Sequence, residues 1–315
     1  MRHEEEEVLR FAAGRAAAGG WLVTIVGASG SSPRPVGALL ACSDDGDRVG
    51  SVSGGCVEED LLGRLAGDEF RGRRVTQVDY GVTAEENARL GLPCGGHLTL
   101  LLQRLAATDE RWLAAVAGAI GERRCLRREV DLVSGETALS DAPQFEAPAL
   151  AAGRFRQVFG PRQRMLLVGA GELAACLAEL ALAMDYDVLV TDPRPEARAQ
   201  WTGPAVPLVG GMPDDVARTQ AADRFSLVIT LTHDPRIDDM ALMEALESDA
   251  WYVGALGSQR TTAARRERLA ELGVGDAALD RLHAPVGLPI GSKTPLEIAV
   301  AIMAELTQLR RARRA

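Results

Sequence analysis

Met165-Leu-Leu-Val-Gly-Ala-Gly-Glu-Leu-Ala174 decides the reading of the second half of this chain. Its first four residues form a short apolar strand, and the glycines open an apolar helix that runs to Met184. Gly169, Gly171 and Ala174 keep the Gly-x-Gly-x-x-Ala spacing. Small residues there make the tight turn, admit a dinucleotide close to the backbone and let the helix pack on its strand. Asp192 closes the next strand, 187–191, about 20 residues on, where such folds carry a ribose acceptor.

Working outward, strands read at 205–209, 226–231 and 250–253 alternate with helical patterns. That alternation predicts a parallel sheet joined by right-handed crossovers. The fold class is therefore α/β, with an N-terminal α/β domain over residues 1–150 followed by a Rossmann-like parallel-sheet domain over residues 160–315. Ligands of such sheets bind beyond the carboxyl ends of the strands. Asp192, Arg194 and His233 fall there, with Arg194 a phosphate partner and His233 one of only four histidines.

In the first half, a helix is expected over 8–18, a strand over 21–26, a helix over 109–120 and a strand over 125–133. Between 134 and 161 the pattern dissolves into Ala, Pro, Gly and polar residues, and the domain boundary is placed there. Ser29-Gly-Ser-Ser-Pro-Arg-Pro-Val-Gly37 and Ser51-Val-Ser-Gly-Gly-Cys-Val-Glu58 each follow a strand. Both offer main-chain N–H groups unshielded by bulky side chains, and consecutive N–H groups make an anion-binding concavity. Ser53, Gly54 and Gly55 are the candidate donors. Arg34, between two prolines, suits phosphate or carboxylate. Cys56 begins a predicted helix over 56–66, whose positive end lowers a thiol pKa. Leu92-Pro-Cys-Gly-Gly96 mirrors it with Cys94 and Gly95. Soft thiolates suit a soft metal, so Cys56 and Cys94 are the metal-ligand candidates. Cys42, Cys125 and Cys176 lie in strand or helix patterns and read as core.

The 315 residues have room for two cores, and a net charge of −9 excludes a nucleic-acid partner. No apolar run is long enough to span a membrane. Five cysteines make no disulfide framework, so the cytoplasm is the expected compartment. Among 35 basic residues Lys293 is the one lysine, in Gly291-Ser-Lys-Thr-Pro295. The stretch is no P-loop, because Lys293 does not directly follow a glycine and Pro289 removes a donor. Lys293 is a candidate partner for a ligand phosphate or for Asp192. Thr294, Pro295 and Glu297 read as the N-cap, first residue and capping-box acid of a last helix.

Together these motifs resemble the xanthine dehydrogenase accessory proteins, a family that includes a carbon monoxide dehydrogenase maturation protein. The resemblance spans nearly the whole chain. It rests also on Thr191-Asp-Pro-Arg-Pro-Glu196, Leu231-Thr-His-Asp234, Tyr252-Val-Gly-Ala-Leu-Gly-Ser258 and His283-Ala-Pro-Val-Gly-Leu-Pro-Ile-Gly-Ser-Lys-Thr-Pro295. It implies a non-enzymatic maturation factor that binds molybdenum cofactor (molybdopterin), protects it during sulfuration and delivers it to an apo molybdenum hydroxylase such as xanthine dehydrogenase. A cysteine desulfurase and further copies of the chain are the other expected partners. The alternative is an NAD(P)-dependent oxidoreductase built on Gly169, Gly171 and Asp192. Where the family commonly carries His after Gly-Ala-Gly, this chain has Glu172, whose carboxylate repels a pyrophosphate.

Overall fold

The computed structural model describes residues 2–30, 34–67, 69–83, 85 and 96–312. The chain divides into two compact units, Met1–Pro161 and Arg162–Ala315.

The first unit carries strands β1 (Gly20–Ser29), β2 (Leu39–Ser43), β3 (Arg48–Gly50), β4 (Val75–Tyr80) and β5 (His97–Arg104) in the order β3-β2-β1-β5-β4. Every pairing is antiparallel. Strand β1 is apolar on both faces because each face is covered, and its side chains part with the two-residue period. Trp21, Val23 and Ile25 pack with Val57 and Leu61 of the helix Cys56–Ala66. Leu22 faces the helices Arg2–Arg15 and Glu110–Gly121 through Val8, Leu9, Leu113 and Val116.

A second antiparallel sheet, β7-β6-β9-β8, comprises β6 (Cys125–Asp131), β7 (Thr137–Ala142), β8 (Ala149–Ala151) and β9 (Arg154–Phe159). Three of these strands lie in the stretch read as featureless. They are short and separated by Pro143 and Pro148, and β9 alternates exposed Arg154 and Arg156 with buried Phe155. Arg128 of β6 is fully buried; it donates to Thr24 of β1 and Gln103 of β5 and lies 4.9 Å over the Trp112 ring. Burial pushes its pKa down to about 9. Gln157 of β9 donates to the Gly37 carbonyl at 2.7 Å.

The second unit holds β10 (Arg164–Val168), β11 (Asp187–Thr191), β12 (Leu208–Val209), β13 (Ser226–Thr230), β14 (Tyr252–Ala255) and β15 (Leu282–His283). Their order, β12-β11-β10-β13-β14-β15, is that of dinucleotide-binding sheets, and all pairs are parallel. Met165 and Leu167 pack under the helices Glu172–Ala183 and Pro295–Ala312. Leu166 and Val168 face the helices Pro213–Gln220 and Pro235–Glu247 on the other side. The predicted strands stand within a few residues of their expected limits. β15 went unread because two residues carry no periodicity. The last helix starts as its sequence predicts: Glu297 accepts from the Lys293 and Thr294 N–H groups, and its own N–H donates to Thr294 Oγ1.

Candidate functional site

In the first unit the candidate loop is strung between β3 and the helix Cys56–Ala66. Gly50 ends β3 at φ +90°, and a Cβ there would lie 2.3 Å from the Leu39 carbonyl oxygen, so the strand requires glycine. Ser51 N–H still donates to that oxygen at 3.1 Å. The chain then curls around the carboxylate of Glu58. Oε1 accepts from Ser51 Oγ (2.6 Å) and from the N–H groups of Val52 (3.0 Å), Ser53 (2.8 Å) and Gly54 (2.9 Å). Oε2 accepts from the Gly55 N–H (2.8 Å) and the Ser53 hydroxyl. Burial alone would raise the Glu58 pKa, but the donors of Ser51, Ser53 and Gly54 outweigh it and bring it to about 2.

The N–H groups that the sequence offers to an incoming anion are therefore engaged by the chain's own carboxylate. Space remains on the loop's outer side, since a side chain built on Gly54 or Gly55 meets nothing within 4 Å. Arg34 makes a two-pronged ion pair with Glu4, at 2.7 and 2.8 Å. Cys56 opens the helix as expected. Cys94 and Gly95 lie outside the described residues. Of the remaining cysteines, Cys42 and Cys125 are buried as core residues and Cys176 is half-buried.

In the second unit the Gly169–Gly171 turn sits where the sheet order reverses, the usual ligand crevice. Gly169 N–H donates to the Thr191 carbonyl at 2.7 Å, and a Cβ on Gly169 would press to 2.8 Å from Thr232 Cγ2. Gly171 caps the helix Glu172–Ala183, with Glu172 exposed in its first turn. Asp192 is fully buried. Its Oδ2 accepts from the Ala170 N–H (3.0 Å) and Arg194 Nη2 (2.8 Å), and its Oδ1 from the Arg194 N–H (3.0 Å) and Nε (2.9 Å). A carboxylate offers about four lone-pair positions, so Asp192 has none left for ribose hydroxyls. Its charge partner is Arg194 rather than Lys293.

Burial works to raise the Asp192 pKa, but the hydrogen bonds from Arg194 and Ala170 prevail and hold it below the ordinary value. A depressed folded pKa means stability that is complete above about pH 4 and lost as pH falls through the folded value. Asp192→Asn is accordingly expected to flatten the acid limb of the stability–pH curve below about pH 4. Urea unfolding at stepped pH checks this; an unchanged limb counts against it.

His233 stands at φ +64° beyond β13. Sequence reading missed what holds this turn. Asp238 accepts from Thr232 N–H (3.2 Å) and Oγ1 (2.7 Å), and from Arg265 Nη2 (3.2 Å). Arg265 Nη1 also donates to the Leu256 carbonyl at 3.0 Å, so one buried ion pair ties the turns after β13 and β14 together. His233 and Lys293 are both exposed, and among the described residues no polar contact is seen for either side chain. Also among the described residues, no cluster of three His, Cys, Asp or Glu is placed to hold a metal, and no helix is long and apolar enough to cross a membrane.

The chain is similar to known proteins along most of its length. The XdhC Rossmann domain matches residues 165–306, and the XdhC and CoxI family matches residues 13–81. The molybdenum cofactor insertion chaperone PaoD of Escherichia coli (strain K12) is 30% identical over 98% of this chain and 90% of its own length. A probable xanthine dehydrogenase subunit of Bacillus subtilis (strain 168) is 27% identical over 92% of this chain and 93% of its own. Among solved structures, a xanthine dehydrogenase from Bacillus halodurans superposes with a TM-score of 0.77 at 27% identity, covering 98% of this chain and 96% of that one.

Proposed function

The chain belongs to the XdhC and CoxI family, and from that premise we propose that it is a molybdenum cofactor chaperone. It binds the cofactor, protects it during sulfuration and delivers it to an apo molybdenum hydroxylase such as xanthine dehydrogenase. The observation that carries this reading is the 30% identity to a molybdenum cofactor insertion chaperone, sustained over 98% of the chain. The loop before Cys56 supports it, because a helix-start cysteine beside an unobstructed glycine pair suits the soft metal end of the cofactor. A cysteine desulfurase acts as sulfur donor, and the chain works in the cytoplasm as a homo-oligomer. The saturated carboxylate of Asp192 weighs against a nicotinamide dinucleotide as the cargo.

Protein purified from a host that makes molybdenum cofactor is expected to carry pterin and molybdenum. Cys56→Ala is expected to lose nearly all of that pterin while melting within a few degrees of the unaltered protein. Released pterin is measured by fluorescence after oxidation, and molybdenum by mass spectrometry. Equal pterin content in both proteins rules Cys56 out as a ligand. Reduced nicotinamide in place of pterin points instead to the oxidoreductase.

A further inference from the structure

Glu58 is 5% exposed and gathers four consecutive main-chain N–H groups and two hydroxyls, all from residues 51–55. An incoming phosphate can use those N–H groups only by driving a buried carboxylate out of the site. Such a loop is closed around its own anion before any cofactor arrives. We propose that Glu58 is a positioning residue of the cofactor-binding loop: it folds Ser51–Gly55 around its carboxylate, fixes where residue 56 meets the cofactor, and keeps the N–H groups of residues 52–55 out of contact with the cargo. This rests on the chaperone reading above.

The chemistry of the side chain is specific. Glutamine keeps the length of Glu58 but replaces one acceptor oxygen by an NH₂ group that faces donors. Aspartate is one methylene shorter. Glu59, the next residue, is exposed on the same helical turn and serves as the control.

The test uses the full chain and three readouts: co-purified pterin, hydrogen exchange at the amides of 52–55, and the alkylation rate of Cys56 by iodoacetamide. In the unaltered protein those amides are expected to be protected without cofactor and no more protected with it. Glu58→Gln is expected to retain cofactor about tenfold less well or worse, as when a residue supporting a metal ligand is lost. Exchange at 52–55 quickens and the Cys56 alkylation rate changes several-fold. Formate added to Glu58→Ala fills the vacated place and restores slow exchange and retention; Glu59→Ala changes none of the three. Glu58→Ala that retains cofactor as well as the unaltered protein overturns the proposal, and so does protection at 52–55 that arises only on loading. The second outcome is read on the unaltered protein, so poorly folded variants do not obscure it. An unaltered protein without pterin instead overturns the chaperone reading.

Discussion

Asp238→Ala is expected to lower the unfolding free energy by about 3–5 kcal/mol. Asp238 and Arg265 are both essentially excluded from solvent, and Arg265 Nη2 meets Asp238 Oδ2 at 3.2 Å. Removing one partner of a buried pair leaves the other charge in a poorly polarisable surrounding, which costs far more than the pair contributes. Asp239 Oδ1 lies 3.4 Å from Arg265 Nε while its Oδ2 accepts from Arg268 at 2.8 Å, so one carboxylate is shared between two guanidiniums and its compensation is partial. The Thr232 N–H loses its acceptor at the same time, and its hydroxyl is left with the Asp234 carbonyl at 3.4 Å. Exposed Glu247→Ala, on the same helix, is the control, expected within about 0.5 kcal/mol of the parent. Urea unfolding measures both; a loss below about 1 kcal/mol for Asp238→Ala would show that the interior tolerates a lone guanidinium.

Gly50→Ala is expected to destabilise the first unit by about 3–5 kcal/mol and to strip the protein of pterin. Two penalties combine. The backbone stands at φ +90°, and the added methyl meets the Leu39 carbonyl oxygen at 2.3 Å and Val8 Cγ2 at 2.6 Å. The carbonyl belongs to β2 and cannot rotate away, so β3 must shift. Ser51, the first residue of the loop around Glu58, shifts with it. Gly46, at φ +93° with nothing within 4 Å of a built Cβ, separates the two penalties. Gly46→Ala carries the backbone strain alone, about 1 kcal/mol. Equal losses from both variants would leave steric contact at residue 50 without a role.

Local signals made much of this molecule legible. The Gly169–Gly171 turn, the strand that ends at Thr191 and the capping box at Thr294 are each set by residues a few positions apart, and the structure reproduces them. The limits of the helix Cys56–Ala66 were readable for the same reason. Glu58 was visible as an acid three residues past Gly55, a spacing that signals an ordinary helix start. Its wider role depends on the preceding five residues curling back, which no periodicity records. Asp192 was read as open to ribose. Arg194, two positions on, closes it, because a turn brings the guanidinium back onto the carboxylate. The pairing of Asp238 with Arg265 spans 27 positions and two helices, and nothing local announces it. Residues 134–161 show little pattern because their strands are short, Pro143 and Pro148 stand between β7 and β8, and β8 is exposed throughout.

The buried Arg128 bears on how the first unit comes apart. Its guanidinium, anchored in the four-stranded sheet, finds its acceptors on β1 and β5 of the five-stranded one. Gln157 of β9 likewise reaches the Gly37 carbonyl, and Phe155 of β9 packs with Val26 and Leu101. Melting either sheet alone would therefore strip Arg128 of its acceptors or leave the Gly37 carbonyl, in the link between β1 and β2, without its donor. The two are expected to melt as one cooperative block, and the point where sequence periodicity fades, before β9, falls inside that block. A fragment cut at residue 150 lacks the strand through which the sheets grip each other. The smallest piece that retains those links runs through Phe159.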